Sequence, residues 1–130
     1  MPLDYAKVRH WPIAPVTQQY TPRDTILYAL GVGVATSNPV EPDDLKFVYE
    51  EGLATLPTMA VVLAAGPFWM QDPGTGIEWR KILHGEQMLT LHKPLPAQAT
   101  VVGETAVDEI YDKGAEKGAV MYLTRKMFDG

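Results

Sequence analysis

Every residue from Met59 to Ala65 is apolar, and Leu56-Pro57-Thr58 stands directly before them. Pro57 suits the first turn of a helix, where its missing N–H leaves no bond unmade. A helix without a polar face has no side to turn to water, so it belongs inside the molecule. The segments that follow read as strands. One buried helix followed by strands predicts an α+β chain in which a sheet wraps around a central rod. The 130 residues suit one domain. Hydrophobic residues at 46% against 21% charged are enough for a modest core.

The rest of the chain is read around that rod. Pro2, Pro12 and Pro15 forbid a continuous helix over residues 1–20, which are expected to form an extended arm. Thr21-Pro22-Arg23-Asp24 carries a capping residue, a proline for the first helical position and an acid for the positive helix end. Ile26, Leu27, Leu30 and Val34 then recur at helical spacing, and Gly31 and Gly33 predict an end or bend. Asn38 to Asp44 reads as a loop, Leu45 to Tyr49 as a short strand, and Gln71 to Gly76 as another loop. Alternation predicts a strand over Ile82 to His92, with Leu83, Leu89 and Leu91 on one face and His84, Glu86, Thr90 and His92 on the other. Further strands are predicted from Thr100 to Tyr111 and from Ala119 to Phe128, joined by a turn at Asp112-Lys113-Gly114. The terminal Asp129-Gly130 is a hairpin signal with no returning strand, which points to a chain cut short of its natural end.

Charge and composition exclude several function classes. A net charge of −5 argues against a nucleic-acid binder, although a local basic patch could still meet an anionic ligand. With no cysteine, disulfides, cysteine-zinc sites, iron–sulfur ligation and thiol nucleophiles are out. The N-terminus lacks the pattern of a secretory signal, and Met59 to Phe68 is too short to span a bilayer. A cytoplasmic protein with neither a nucleic-acid nor a membrane partner is expected.

Few residues offer chemistry on spacing alone. Gly31-Val32-Gly33 lacks the third glycine of a dinucleotide fingerprint. Gly114 to Gly118 reads as a turn between strands. His84 and His92, eight apart on one strand, would lie roughly 26 Å apart and could not share a metal ion. Ser37 is the only serine and lies in a polar loop, which speaks against a triad. His84 and Glu86 leave the same face of the expected strand and could tune each other for proton transfer; a solvated face or a structural bond is favoured by spacing alone. Glu50 and Glu51 precede the apolar rod, where a carboxylate could gain a raised pKa and act as a base, or be ordinary surface acid. The rod itself, through Met59, Val62 and Leu63, could wall an acyl-chain tunnel or simply form core. Lys46, Arg80, Lys81 and Lys93 could meet phosphates or be solvated charges.

Two longer stretches are more specific. Tyr20 to Gly33, reading YTPRDTILYALGVG, resembles the first helix in the N-terminal half of type 2 (R-specific) enoyl-CoA hydratases, also described as MaoC-like dehydratases. Leu83-His84-Gly85-Glu86-Gln87, followed by Lys93-Pro94-Leu95-Pro96, resembles the next signature of that half. Leu45 to Glu50 and Leu56-Pro57-Thr58 fall between them in the family's order, and Met1 to Asp4 is similar to bacterial members.

The resemblance implies a hot-dog fold, an antiparallel sheet wrapped around a central helix starting near Pro57, occupying residues 21–130. It implies addition of water to trans-2-enoyl-CoA to give (3R)-hydroxyacyl-CoA, which needs a base for water, an acid for the α-carbon and a donor for the enolate oxygen. It implies no resident cofactor, since coenzyme A arrives as part of the acyl-CoA substrate. The family's catalytic Asp and His lie in a Gly-Asp-x-Asn-Pro-x-His pattern of the C-terminal half, and that pattern is absent from these residues. Glu50 matches a glutamate that supports activity in the family, although Tyr49-Glu50-Glu51-Gly52 carries an acid more than the usual Tyr-Glu-Gly. His84, Gly85, Glu86, Gln87, Met59, Val62 and Leu63 become substrate-binding candidates. The expected partners are an acyl-CoA thioester, a catalytic C-terminal half or subunit, and further copies of the chain, because uncovered apolar surface favours self-association. The alternative is a non-catalytic hot-dog scaffold that pairs with a separate catalytic subunit. A thioesterase of the same fold fits the motifs less well.

Overall fold

The computed structural model describes residues 3–130. Met1 and Pro2, the first residues of the expected arm, lie outside the described residues. Among the described residues the architecture is one antiparallel sheet of three strands in the order β1-β2-β3. The strands are β1 (Val16–Tyr20), β2 (Ala99–Asp112) and β3 (Ala119–Asp129). Both pairings are antiparallel, with Val16 opposite Gly103 and Gly103 opposite Met127. The hairpin expected at Asp112-Lys113-Gly114 is present: the Lys113 N–H donates to the Gly118 carbonyl at 2.8 Å, and the Gly114 N–H donates to Asp112 Oδ1 at 2.8 Å.

One face of the sheet carries two apolar clusters, one toward each end of β2. The first gathers Tyr20, Met59, Leu63, Ala64 and Val101. The second gathers Val8, Val107 and Ile110, with Trp69 and Met121 packed against it. Side chains on that face alternate along β2, as a half-covered strand requires. A bulge between Val107 and Glu109 resets the alternation, so that Ile110 returns to the core. Arg9 Nη1 donates to the Val107 carbonyl at this bulge, at 2.6 Å.

Helix α2 (Pro22–Gly31) begins where its signals place it. The Asp24 carboxylate accepts from the Thr21 N–H at 2.8 Å and from the Thr21 hydroxyl at 3.1 Å. Its buried residues are Thr25 and Ala29, while Leu27 and Leu30 are half-exposed. Leu27 and Leu30 thus lie on the outer side of α2, while Ile26 is half-buried and Val34 falls beyond the helix.

Four expectations need correction. Residues 1–20 are not simply an arm: they hold the short helix α1 (Tyr5–Arg9) and strand β1. Prolines exclude only a continuous helix, and five residues fit between them once the Asp4 carboxylate caps the Lys7 N–H. Leu45 to Tyr49 is not a strand. Pro42 and the acids Asp43 and Asp44 start the one-turn helix α3 (Pro42–Leu45), and turns continue from it. Ile82 to His92 is not a strand either; it is extended coil without a pairing partner among the described residues, and Leu83 is 90% exposed. Last, the central rod is short: it is a 3-10 helix over Pro57–Val61, followed by a turn. It does lie against the sheet as expected, with Met59, Leu63 and Ala64 buried.

Candidate functional site

The rod and the strand residues beneath it form the candidate site with the most cross-element contacts of its backbone. A helix that stops leaves carbonyls without N–H partners. Here the sheet supplies the partners. Arg125 Nη1 on β3 donates to the Val61 carbonyl at 2.8 Å and to the Leu63 carbonyl at 3.1 Å. Gln18 Oε1 on β1 accepts from the Ala64 N–H at 2.6 Å. Ala64 takes a left-handed conformation with φ 50°, which a residue with a Cβ adopts only at a cost. Gly103 on β2 makes room for it: a Cβ there would come within 2.7 Å of both the Ala64 Cβ and the Ala64 carbonyl oxygen.

Side-chain hydroxyls tie the start of the rod to its surroundings. The Tyr28 hydroxyl on α2 donates to Thr58 Oγ1 at 2.9 Å. The Tyr20 and Thr55 hydroxyls both donate to the Pro96 carbonyl, at 2.7 and 2.9 Å. Burial pushes the Tyr20 phenol above its ordinary pKa, and the charge of Asp129 adds to this. The hydroxyl therefore stays a donor across the physiological range.

The sequence candidates divide by this geometry. Met59 and Leu63 turn into the core and are under 4% exposed, whereas Val62 between them is 55% exposed. Glu50 lies exposed in turns after α3. His84, Gly85, Glu86 and Gln87 are all exposed in coil. His84 Nε2 is 3.0 Å from Gln87 Oε1, and Glu86 makes no side-chain hydrogen bond among the described residues. The pairing expected of His84 and Glu86 relied on a strand, and without the strand the shared face is lost. Glu50 likewise makes no side-chain hydrogen bond among the described residues. Among the described residues, none of the acid and base candidates are brought together around the rod.

Gln18, Gly103 and Arg125 were missed by reading motifs. The signal was there in the alternation. Each strand has a break in the run of large apolar residues in its core-facing row: Gln18 between Val16 and Tyr20, Gly103 and Thr105 between Val101 and Val107, and Arg125 between Leu123 and Met127. Two surface hollows, of about 280 and 480 Å³, lie elsewhere on the sheet and are lined by none of the candidates. Among the described residues, no helix is long and apolar enough to cross a membrane.

Comparison with known proteins agrees with this architecture. Residues 18–130 match the family model of the MFE-2 hydratase 2 N-terminal domain. The peroxisomal multifunctional enzyme type 2 of Mus musculus is 40% identical over 120 residues, covering 88% of this chain and 16% of its own length. The peroxisomal enoyl-CoA hydratase 2 of Arabidopsis thaliana is 31% identical over 116 residues, covering 85% of this chain and 37% of its own. The crystal structure of a MaoC-like dehydratase from Phytophthora capsici superposes with a TM-score of 0.71 at 33% identity, over 96% of this chain and 43% of that one. The chain thus spans less than half the length of these relatives, and its antiparallel sheet is that of their hot-dog architecture. On sequence and fold together, the chain belongs to the MFE-2 hydratase 2 N-terminal domain family.

Proposed function

We propose that the chain is the acyl-accommodating, N-terminal half of a (3R)-specific enoyl-CoA hydratase or dehydratase, a lyase that adds water to trans-2-enoyl-CoA in fatty-acid metabolism. One observation carries the proposal: an apolar wall, open at Val62 and packed from behind by Met59 and Leu63, carries no gathered acid–base pair. Such a surface binds a chain of methylenes; it does not move protons. Water activation and α-carbon protonation need groups within hydrogen-bond reach of the substrate. In this reading they come from the Asp and His of a C-terminal catalytic half, and Glu50 supports them from this side. His84, Gly85, Glu86 and Gln87 lie exposed, free to meet the thioester or that second half. Coenzyme A enters with the substrate, so no resident cofactor takes part. The exposed apolar side chains Leu27, Leu30, Val62 and Leu83 suit burial against the catalytic half or a second copy. A reducing compartment suits a chain without cysteine, and the mouse and Arabidopsis relatives are named as peroxisomal.

The test is activity by parts. The purified 130-residue chain should hydrate crotonyl-CoA no faster than buffer, and adding or fusing the catalytic half should restore turnover. Full turnover by the chain alone would overturn the division of labour. Restoration only with a separately encoded subunit, with the chain dispensable for chemistry but needed for assembly, would favour the scaffold reading instead.

A further inference from the structure

Val62 is the one rod candidate open to solvent, and its backbone is held on both sides. The carbonyl before it, of Val61, and the carbonyl after it, of Leu63, accept from the same Arg125 nitrogen. The next amide, of Ala64, is held by Gln18. Gly103 lets the strained turn sit against the sheet. Each of the three strands therefore contributes one group to a single short segment. We propose that Arg125 is a positioning residue that, with Gln18 and Gly103, fixes Val62 as the acyl-facing wall and so sets how well long acyl chains are bound. This rests on the acyl-binding role proposed above and adds the residue that governs its selectivity.

The physical basis is preorganisation. A wall already in its bound shape loses little freedom when ligand arrives, whereas a loose wall must be ordered at the expense of affinity. The effect grows with the length of chain laid along the wall. Arginine suits the task because its planar group offers several donors in a fixed geometry; lysine keeps the charge without the fork.

The test uses the chain assembled with its catalytic half, comparing wild type with Arg125→Met, Arg125→Lys and, as a control for charge, Lys126→Met on the opposite sheet face. Two quantities are read: the ratio of kcat/KM for a long-chain trans-2-enoyl-CoA to that for crotonyl-CoA, and amide hydrogen exchange at Ala64. Arg125→Met should lower the ratio about tenfold, through KM, as expected when a charged donor is lost. It should also speed exchange at Ala64 by a similar factor. Arg125→Lys should recover part of both, and Lys126→Met should change neither. Unchanged exchange, or an equal fall for both substrates through kcat, would overturn the proposal. A wild-type assembly that hydrates neither substrate would sink the hydratase reading and the acyl role of the wall with it. That failure is distinguishable from a failed clamp, because amide exchange still reports on Arg125.

Discussion

The rod around Pro57–Leu63, apolar along its length, and the alternating stretch from Ile82 to His92 both read as regular elements in the sequence, yet they end in opposite states. The first is pressed against the sheet, with Leu63 2% exposed; the second is coil, with Leu83 90% exposed. Hydrophobicity is only part of the difference. The rod's backbone finds hydrogen-bond partners on β1 and β3, through Gln18 and Arg125, and β2 makes room for it at Gly103, so it can be buried with these polar groups paired. The later stretch meets no strand among the described residues. An alternating segment becomes a strand only when an edge is there to receive its N–H and C=O groups.

The sharpest way to break this comparison is to truncate the same side chain in both places. Leu63→Ala should cost about 2–5 kcal/mol of unfolding free energy, because it opens a cavity in a packed cluster. Leu83→Ala should change stability by less than about 0.5 kcal/mol. Denaturant unfolding of the two variants decides, and similar losses would show that the 82–92 stretch packs in solution.

A glycine pair sharpens it further. Gly103→Ala places a methyl 2.7 Å from the Ala64 carbonyl oxygen and should cost about 1–3 kcal/mol by forcing the turn off the sheet. Gly85→Ala meets nothing within 4 Å and should be neutral in the same unfolding experiment. A tolerated Gly103→Ala would show that the rod has freedom to move outward.

The smallest effect is expected at the opposite end of the sheet, where the Tyr5 hydroxyl donates to Glu109 Oε1 at 2.7 Å. That bond holds the Glu109 carboxyl below its ordinary 4.5, and the Ile110 N–H adds to it. The same bond raises the Tyr5 phenol above its ordinary 10.0. A lowered carboxyl favours folding above its unfolded pKa and loses that contribution as pH falls through the lowered value. A raised phenol favours folding below pH 10 and loses it as pH rises further. The pair therefore helps across the neutral range and fades at both extremes. In Tyr5→Phe, an NMR titration of the Glu109 carboxyl should move its midpoint up toward 4.5; an unmoved midpoint would count against the bond. Both groups are open to water, so the change in overall stability should be small.

Much was legible from residues alone. Thr21-Pro22 and Asp24 placed the start of α2, and the alternation over Thr100–Tyr111 and Ala119–Phe128 placed β2 and β3 to within a residue or two. The motifs from Tyr20 to Gly33 and from Leu83 to Gln87 carried the family. These are local signals: a cap, a proline or a two-residue period acts on the backbone within a few positions. The wall's geometry was not local. Gln18 lies 46 residues from Ala64 in sequence, and Arg125 lies 64 from Val61. Nothing near Val61 announces that an arginine on β3 will satisfy the carbonyls at its helix end.

Composition and period thus decided which segments prefer helix or strand and that Met59, Leu63 and Ala64 avoid water. Where the rod stops, which of its side chains stays open, and whether the segment after it pairs at all were settled only by folding. Those outcomes depend on donors, acceptors and strand edges delivered from distant parts of the chain, and a backbone group left unpaired in the interior is too costly to ignore.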